Sequence, residues 1–261
     1  MNRMKHIQLT LFCFLFVLFV SCNKDEYSPN LKGDILGSVF TFDEYGKLFT
    51  IHSGVKITAI GLNKKYQAIS DYFGKYELKG VINGTYLIKY EKEGFGALIQ
   101  YGIKHLGGEP TALFDFKSTS AVLLVQKSSI KIVDLKIENK TIRASFLFNT
   151  LFPPANVSLR VFYSTNPNFT QQTAQWANSL SVYNPSIGEY TGSWIINSTN
   201  PIPAGTKIYF KACAFAQPGD FTTMFDAYLY GISSYEDPIS HQIIIPNLGD
   251  ESAIYSFTVS E

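Results

Sequence analysis

The sequence predicts an all-β protein built as two β-sandwich domains in series. Apolar and polar residues alternate with a period of two over short runs, and no window of eleven or more residues shows a convincing 3.6-residue repeat. Aromatic residues make up 15% of the chain, and 19 Gly with 11 Pro interrupt it throughout, which suits short strands and tight turns better than long helices. Around Gln126-Lys127-Ser128-Ser129 the chain turns polar and a second set of strands begins, so the expected domains are 33–127 and 128–261. At 261 residues and 46% hydrophobic, the chain is large enough for two ordinary cores and too apolar to be disordered. Its 22 basic and 21 acidic residues nearly cancel, which argues against a nucleic-acid partner, since phosphate neutralisation needs a strongly basic face.

The N-terminus reads as an export signal. Arg3 and Lys5 precede the apolar run Leu9–Val20. As a helix that run would extend about 18 Å, short of the ~30 Å hydrocarbon core, so it fits the apolar region of a secretory signal and not a membrane span. Leu18-Phe19-Val20-Ser21-Cys22 resembles the lipobox of bacterial lipoproteins, with Phe19 unusual at its position. That resemblance implies cleavage after residue 21 and acylation of the Cys22 sulfur, leaving 22–32 as a lipidated tether. Asn23-Lys24-Asp25-Glu26 resembles the Lys-plus-acidic export signal of Bacteroidetes surface lipoproteins, which implies an outer-membrane protein exposed at the cell surface. Acyl chains bury in a leaflet at about 0.8 kcal/mol per CH₂, so two or three hold a protein without any spanning helix. With Cys13 removed and Cys22 lipidated, Cys213 stands alone and no intramolecular disulfide forms.

From Gly33 the pattern is strand, turn, strand. Val55–Ile60 alternates, Asp71–Gly74 is a turn, Lys75–Leu78 a strand, Val81–Gly84 a further turn, and Thr85–Tyr90 alternates again. Gly37-Ser38-Val39, Gly46-Lys47, Gly54-Val55, Asp71 with Gly74–Leu78, and Gly84-Thr85-Tyr86 before Glu93-Gly94-Phe95 resemble the carboxypeptidase regulatory-like domain, a transthyretin-like sandwich. In that family the zinc ligands lie in a separate catalytic domain. Here His52, His105 and His241 have no Glu or His at ligand spacing, so no metal is expected.

The second half continues with Ile130–Ile137, Thr141–Phe148, Val157–Thr165, Tyr190–Ile196, Lys207–Ala214 and Ser252–Val259, each alternating. Tyr163-Ser164-Thr165 and Gly205–Ala214 resemble strand ends of bacterial fibronectin type III-like domains, which implies an Ig-like sandwich. Two features depart from that family. Ile208 stands where it often keeps a tyrosine, and the segment is long, with Asn166–Gly188 and Gln217–Asn247 expected as long loops or extra strands.

Those segments carry the candidate ligand-binding residues Trp176, Tyr183, Tyr228, Tyr230 and Tyr235, together with Phe225. Planar side chains there would stack on sugar rings, while Gln175, Asn178 and Asp226 would bond their hydroxyls. Trp176, among polar neighbours, is the expected exposed platform, whereas Trp194 alternates with apolar residues and is expected in the core. Cys213 is expected as a half-buried, inert thiol: no histidine lies nearby and no Gly-x-Ser-x-Gly elbow exists. The scattered acids lack calcium-loop spacing. The expectation is therefore a non-catalytic, cofactor-free module held to the membrane by lipid, binding an extracellular glycan or serving a nutrient-uptake receptor. The alternative is a structural subunit touching another envelope protein through an exposed strand edge.

Overall fold

The computed structural model describes residues 30–113, 122–138, 141–147, 156–183, 189–193, 202–216, 235–241 and 243–259. Cys22, Lys24, Asp25 and Glu26 lie outside the described residues, as do Trp194, Phe225, Asp226, Tyr228 and Tyr230. Every regular element among the described residues is a strand, and the strands layer into sandwiches as the period-two alternation predicts.

The first half holds β1 (Lys32–Phe42), β2 (Lys56–Ile60), β3 (Lys65–Ile69), β4 (Lys75–Ile82), β5 (Gly84–Glu91), β6 (Leu98–His105), β7 (Thr111–Ala112) and β8 (Val122–Val125). One sheet runs β4-β1-β7 with β8 also on β1, and the facing sheet runs β3-β2-β5-β6. Along β4, Tyr76 and Leu78 point inward while Lys75, Glu77 and Lys79 point out. Along β5, Tyr86, Ile88 and Tyr90 point inward to meet them. Each large apolar side chain so buried contributes roughly 1.5–3 kcal/mol. Tyr90 donates to Gln100 Oε1 at 2.8 Å, so the 2.8 Å contact between the Tyr76 and Tyr90 hydroxyls has Tyr76 as donor. This chain of bonds crosses from one sheet to the other.

Where the sequence suggests a turn at Val81–Gly84, the structure has β4 running through Ile82 and β5 starting at Gly84, in different sheets. The fully buried Val81 keeps β4 in register, so only Asn83 is left to turn the corner. The loops at Asp43-Glu44-Tyr45-Gly46-Lys47 and Asp71-Tyr72-Phe73-Gly74-Lys75 share one design. In each, the aspartate Oδ1 accepts from the backbone two and four residues on, and the glycine takes φ near +85°, at 87° and 82°.

The second half holds β9 (Lys131–Glu138), β10 (Thr141–Leu147), β11 (Asn156–Ser164), β12 (Trp176–Tyr183), β13 (Glu189–Ser193), β14 (Lys207–Ala216), β15 (Tyr235–Glu236), β16 (Ile243–Ile244) and β17 (Tyr255–Thr258). A sheet β13-β10-β9 faces a sheet β12-β11-β14-β17, and β15 pairs β16. Leu135, Ala144, Phe146, Leu159, Val161, Tyr163, Ile208, Phe210 and Ala212 lie in the core between them. The two segments expected as long loops or extra strands contain β12 and the β15–β16 pair.

The two sandwiches meet at a close junction. Gly96, in the first half, lies so near Pro246, in the second, that a Cβ there would meet its carbonyl. Tyr45, from the first half, packs against the second core.

Candidate functional site

Strand β11 has two faces. Val157, Leu159, Val161 and Tyr163 enter the core, while Ser158, Arg160, Phe162 and Ser164 lie on the opposite face of the sheet. Over that outer face folds the segment between β11 and β12. It is held by short local bonds: Asn166 N donates to Ser164 Oγ at 3.1 Å, Asn168 N to Asn166 Oδ1 at 2.9 Å, and Thr170 N to Thr173 Oγ1 at 2.8 Å. Its Phe169 packs with Phe162 and Cys213 in a small apolar cluster beneath it.

Cys213 is therefore fully buried, which corrects the expectation of a half-buried thiol: the covering segment shields the face that alternation alone would leave to solvent. Burial first, then the charges of Glu251 and Asp250, push its pKa up to about 12, with Lys211 opposing. It is no nucleophile.

Beside this cluster lies a cavity of about 260 Å³. Phe162, Ala174 and Ala177 form its apolar surface, Trp176 a wall, and Arg160, Gln171, Gln175 and His241 its polar lining. Arg160 donates through Nη1 to Ser179 Oγ at 2.9 Å, and its Cζ lies 5.8 Å from the centre of the Phe162 ring. Its Nε is buried without a partner, and no carboxylate among the described residues pairs with it. Burial lowers its pKa from the ordinary value, with Tyr163 opposing, yet a guanidinium stays charged.

Gln175 Oε1 accepts three bonds, from Thr165 N at 2.7 Å, Thr165 Oγ1 at 2.8 Å and Ser164 Oγ at 3.0 Å, which leaves its NH₂ as a donor to a ligand. His241 bonds through Nδ1 to Glu236 Oε1 at 2.9 Å. Its backbone sits at φ 55°, the one positive φ outside glycine among the described residues, closed by a 2.7 Å bond from its N–H to the Asp237 carbonyl. Such strain concentrates where a side chain must be aimed.

A larger groove of about 690 Å³ runs past Leu36, Ile69, Asp71, Lys75, Tyr76 and Glu77. Most of its polar groups are already engaged: Asp71 in its turn, Glu77 with Lys79 at 3.3 Å, and the Tyr76 hydroxyl with Tyr90. The smaller cavity is the better site because Arg160 Nε and the Gln175 NH₂ have no partner among the described residues.

Trp176 is half-buried, not the exposed platform expected from its polar neighbours. It is the cross-strand partner of Tyr163 and stacks on that ring at 5.4 Å and 19°, on the core side of β12. Asn178, two residues on, shares this side and donates to the Tyr163 hydroxyl at 3.0 Å. Only part of Trp176 reaches the cavity. Tyr183 ends β12 and Tyr235 opens β15, both in strands and described by backbone alone. The cavity thus brings together one expected aromatic and its neighbour Gln175 with Arg160, Phe162 and Gln171, which the sequence does not single out, and His241, which it offers only as a metal ligand set aside on spacing. The signal for Arg160 and Phe162 was present: alternation in β11 places one cation and one aromatic opposite an all-apolar face.

His52 and His105 have structural roles. His52 Nδ1 accepts from Thr41 N at 3.1 Å, and His105 bonds Thr111 Oγ1 at 2.7 Å and the Val81 carbonyl at 3.0 Å. Among the described residues no three His, Cys, Asp or Glu side chains gather where they would hold a metal.

No family model matches the chain, and no curated protein matches it. Among solved structures it is similar to a Bacteroides uniformis protein provisionally described as carbohydrate-binding, at 14% identity and a TM-score of 0.30, over 88% of this chain and 100% of that one. It is also similar to a DUF3823 family protein of Parabacteroides merdae, at 15% identity and a TM-score of 0.26, over 71% of this chain and 92% of that one. A type II cohesin–X-dockerin complex from Acetivibrio cellulolyticus matches at 17% identity and a TM-score of 0.29, over 36% of this chain and 58% of the matched one. Similarity at this level carries no argument for function, which rests on the residues described above.

Proposed function

We propose that this protein is a non-catalytic, lipid-anchored binding module of a bacterial outer membrane, facing outward, and that its second sandwich binds the end of an extracellular glycan. The chain divides at 127/128 into a spacer sandwich and a recognition sandwich, held off the membrane by residues 22–32. The observation that carries the reading is the cavity on the outer face of β11 and β12. An apolar surface at Phe162 and Ala177 there meets free hydrogen-bonding capacity at Arg160, Gln175 and His241. An apolar patch with a few converging polar groups is the usual form of a small-ligand site. Binding is favoured over bond-breaking because among the described residues the cavity pairs no nucleophile with a base: Cys213 is buried, with its pKa pushed up, and Glu236 is engaged by His241.

A glycan array followed by calorimetry tests this. Gln175→Ala should weaken binding of a captured glycan about tenfold, the loss of one or two hydrogen bonds. Unchanged affinity would remove the cavity from the account. Gln175 is a better test position than Trp176, whose replacement would also disturb the Tyr163 stack.

The alternative of an accessory subunit draws on a different surface. Leu62 is 98% exposed, and Ile69 and Phe73 are 70% and 67% exposed, all near the β3 edge, where another chain would add a strand. Co-purification with an envelope protein that is lost on Ile69→Lys and indifferent to Gln175→Ala would favour it.

A further inference from the structure

We infer that the cavity selects glycan ends bearing a carboxylate, a uronic acid or another acidic sugar, with Arg160 receiving the acid group. This rests on reading the cavity as a glycan site and names the class of glycan it takes.

The first ground is that among the described residues the Arg160 charge is uncompensated. Arg160 meets no carboxylate among the described residues, whereas its neighbour Lys211 on β14 is paired with Glu251 at 3.1 Å. Among the described residues no Asp or Glu lines the cavity. Of the described acids on the His241 turn, Glu236 is bonded to His241 and Asp237 accepts from the Ile239 and Ser240 amides. A half-buried cation left alone is costly, and a ligand carboxylate offsets that cost where a neutral hydroxyl does not.

The second ground is preorganisation. Nη1 is tied to Ser179 and the guanidinium lies beside the Phe162 ring, so the planar group is fixed before any ligand arrives. A fixed planar fork matches the flat geometry of a carboxylate. The NH₂ of Gln175, aimed by three bonds to its carbonyl, adds a second donor.

The third ground is size. At about 260 Å³ the cavity falls just under the ~300–1,000 Å³ typical of sites that engulf a whole small ligand, so it suits one terminal residue of a chain.

The test compares trigalacturonic acid with its methyl ester, and sialyllactose with lactose, by calorimetry on the purified protein at low salt. For the ligand series that binds, the acid should bind about 10- to 100-fold tighter than its neutral counterpart, the range for a hydrogen bond to a charged group. That preference should vanish in Arg160→Gln and fall only partly in Arg160→Lys. Equal binding of acid and neutral forms, each weakened by Gln175→Ala, would overturn the acid preference and leave the glycan site standing. A preference that persists in Arg160→Gln would also overturn it, by placing the acid elsewhere. Binding of none of the four would remove both readings. Should Arg160→Gln fail to fold, the acid–neutral comparison on the unsubstituted protein still decides.

Discussion

Glu44, in the turn after β1, accepts both the backbone N–H and the hydroxyl of Ser129, the N–H at 2.6 Å, and so ties the first sandwich to the second across 85 residues of sequence. The adjacent Tyr45 packs on the second core, and its pKa is pushed up to about 12 by burial first and then by the Glu44 charge. Such charge-assisted bonds hold the junction in one geometry. Glu44→Ala should therefore lower stability by about 1–3 kcal/mol and broaden the distribution of shapes. Thermal unfolding and small-angle scattering measure the two effects. An unchanged scattering curve would mean the Gly96–Pro246 contact and the packing of Tyr45 fix the junction without Glu44.

The Cys213 thiol should be inert in the folded protein. With its pKa near 12, its thiolate fraction at pH 8 is roughly 10⁻⁴. No labelling by a thiol reagent is expected until denaturant is added, and then one label per mature chain with a lipidated Cys22. Rapid labelling of the native protein at position 213 would contradict the burial described.

Burial also pushes the Tyr76 hydroxyl up to about 12, partly opposed by its bond with Tyr90. An unfolded tyrosine loses its proton near pH 10, so this contribution to stability is intact below that pH and is lost as pH rises toward 12. Stability should fall over that window. Tyr76→Phe should cost about 1 kcal/mol at neutral pH through the lost donor and flatten the alkaline decline. Denaturant melts at pH 8, 10 and 11.5 measure both effects, and an equally steep decline in the variant would assign it to other groups.

Lipid anchoring makes two separable predictions. Cys22→Ser should release the protein from the membrane fraction. Replacing Lys24, Asp25 and Glu26 with Ala should leave it membrane-bound but protected from protease added to intact cells. Mass spectrometry of the mature N-terminus should show an acylated Cys22, and an unmodified start would withdraw the anchor.

Local alternation made the strands legible, because one face of each sheet meets a core: β9, β10, β11 and β14 lie within a residue or two of their expected spans. The paired Asp-x-x-Gly-Lys turns were legible through glycine. Trp176 was misread because polarity of neighbours is a weaker guide than register. Its cross-strand partner is Tyr163, and pairing between distant strands leaves no local trace. Glu44 carries no local signal in the sequence, since its partner Ser129 lies on another sandwich. Arg160 stood within a recognised strand, but its isolation depends on which charges surround it in space. His241 owes its place to a strained turn that composition does not announce.

Ligand recognition at the cavity beside Arg160, on the outer face of the second sandwich, predicts a local response to ligand. Backbone NMR of the labelled protein during titration with a glycan captured on the array tests this most directly. Shifts confined to Arg160, Phe162, the 171–177 segment and His241 are the result expected. Shifts confined to the β3 edge around Ile69, or to the first sandwich generally, would contradict it.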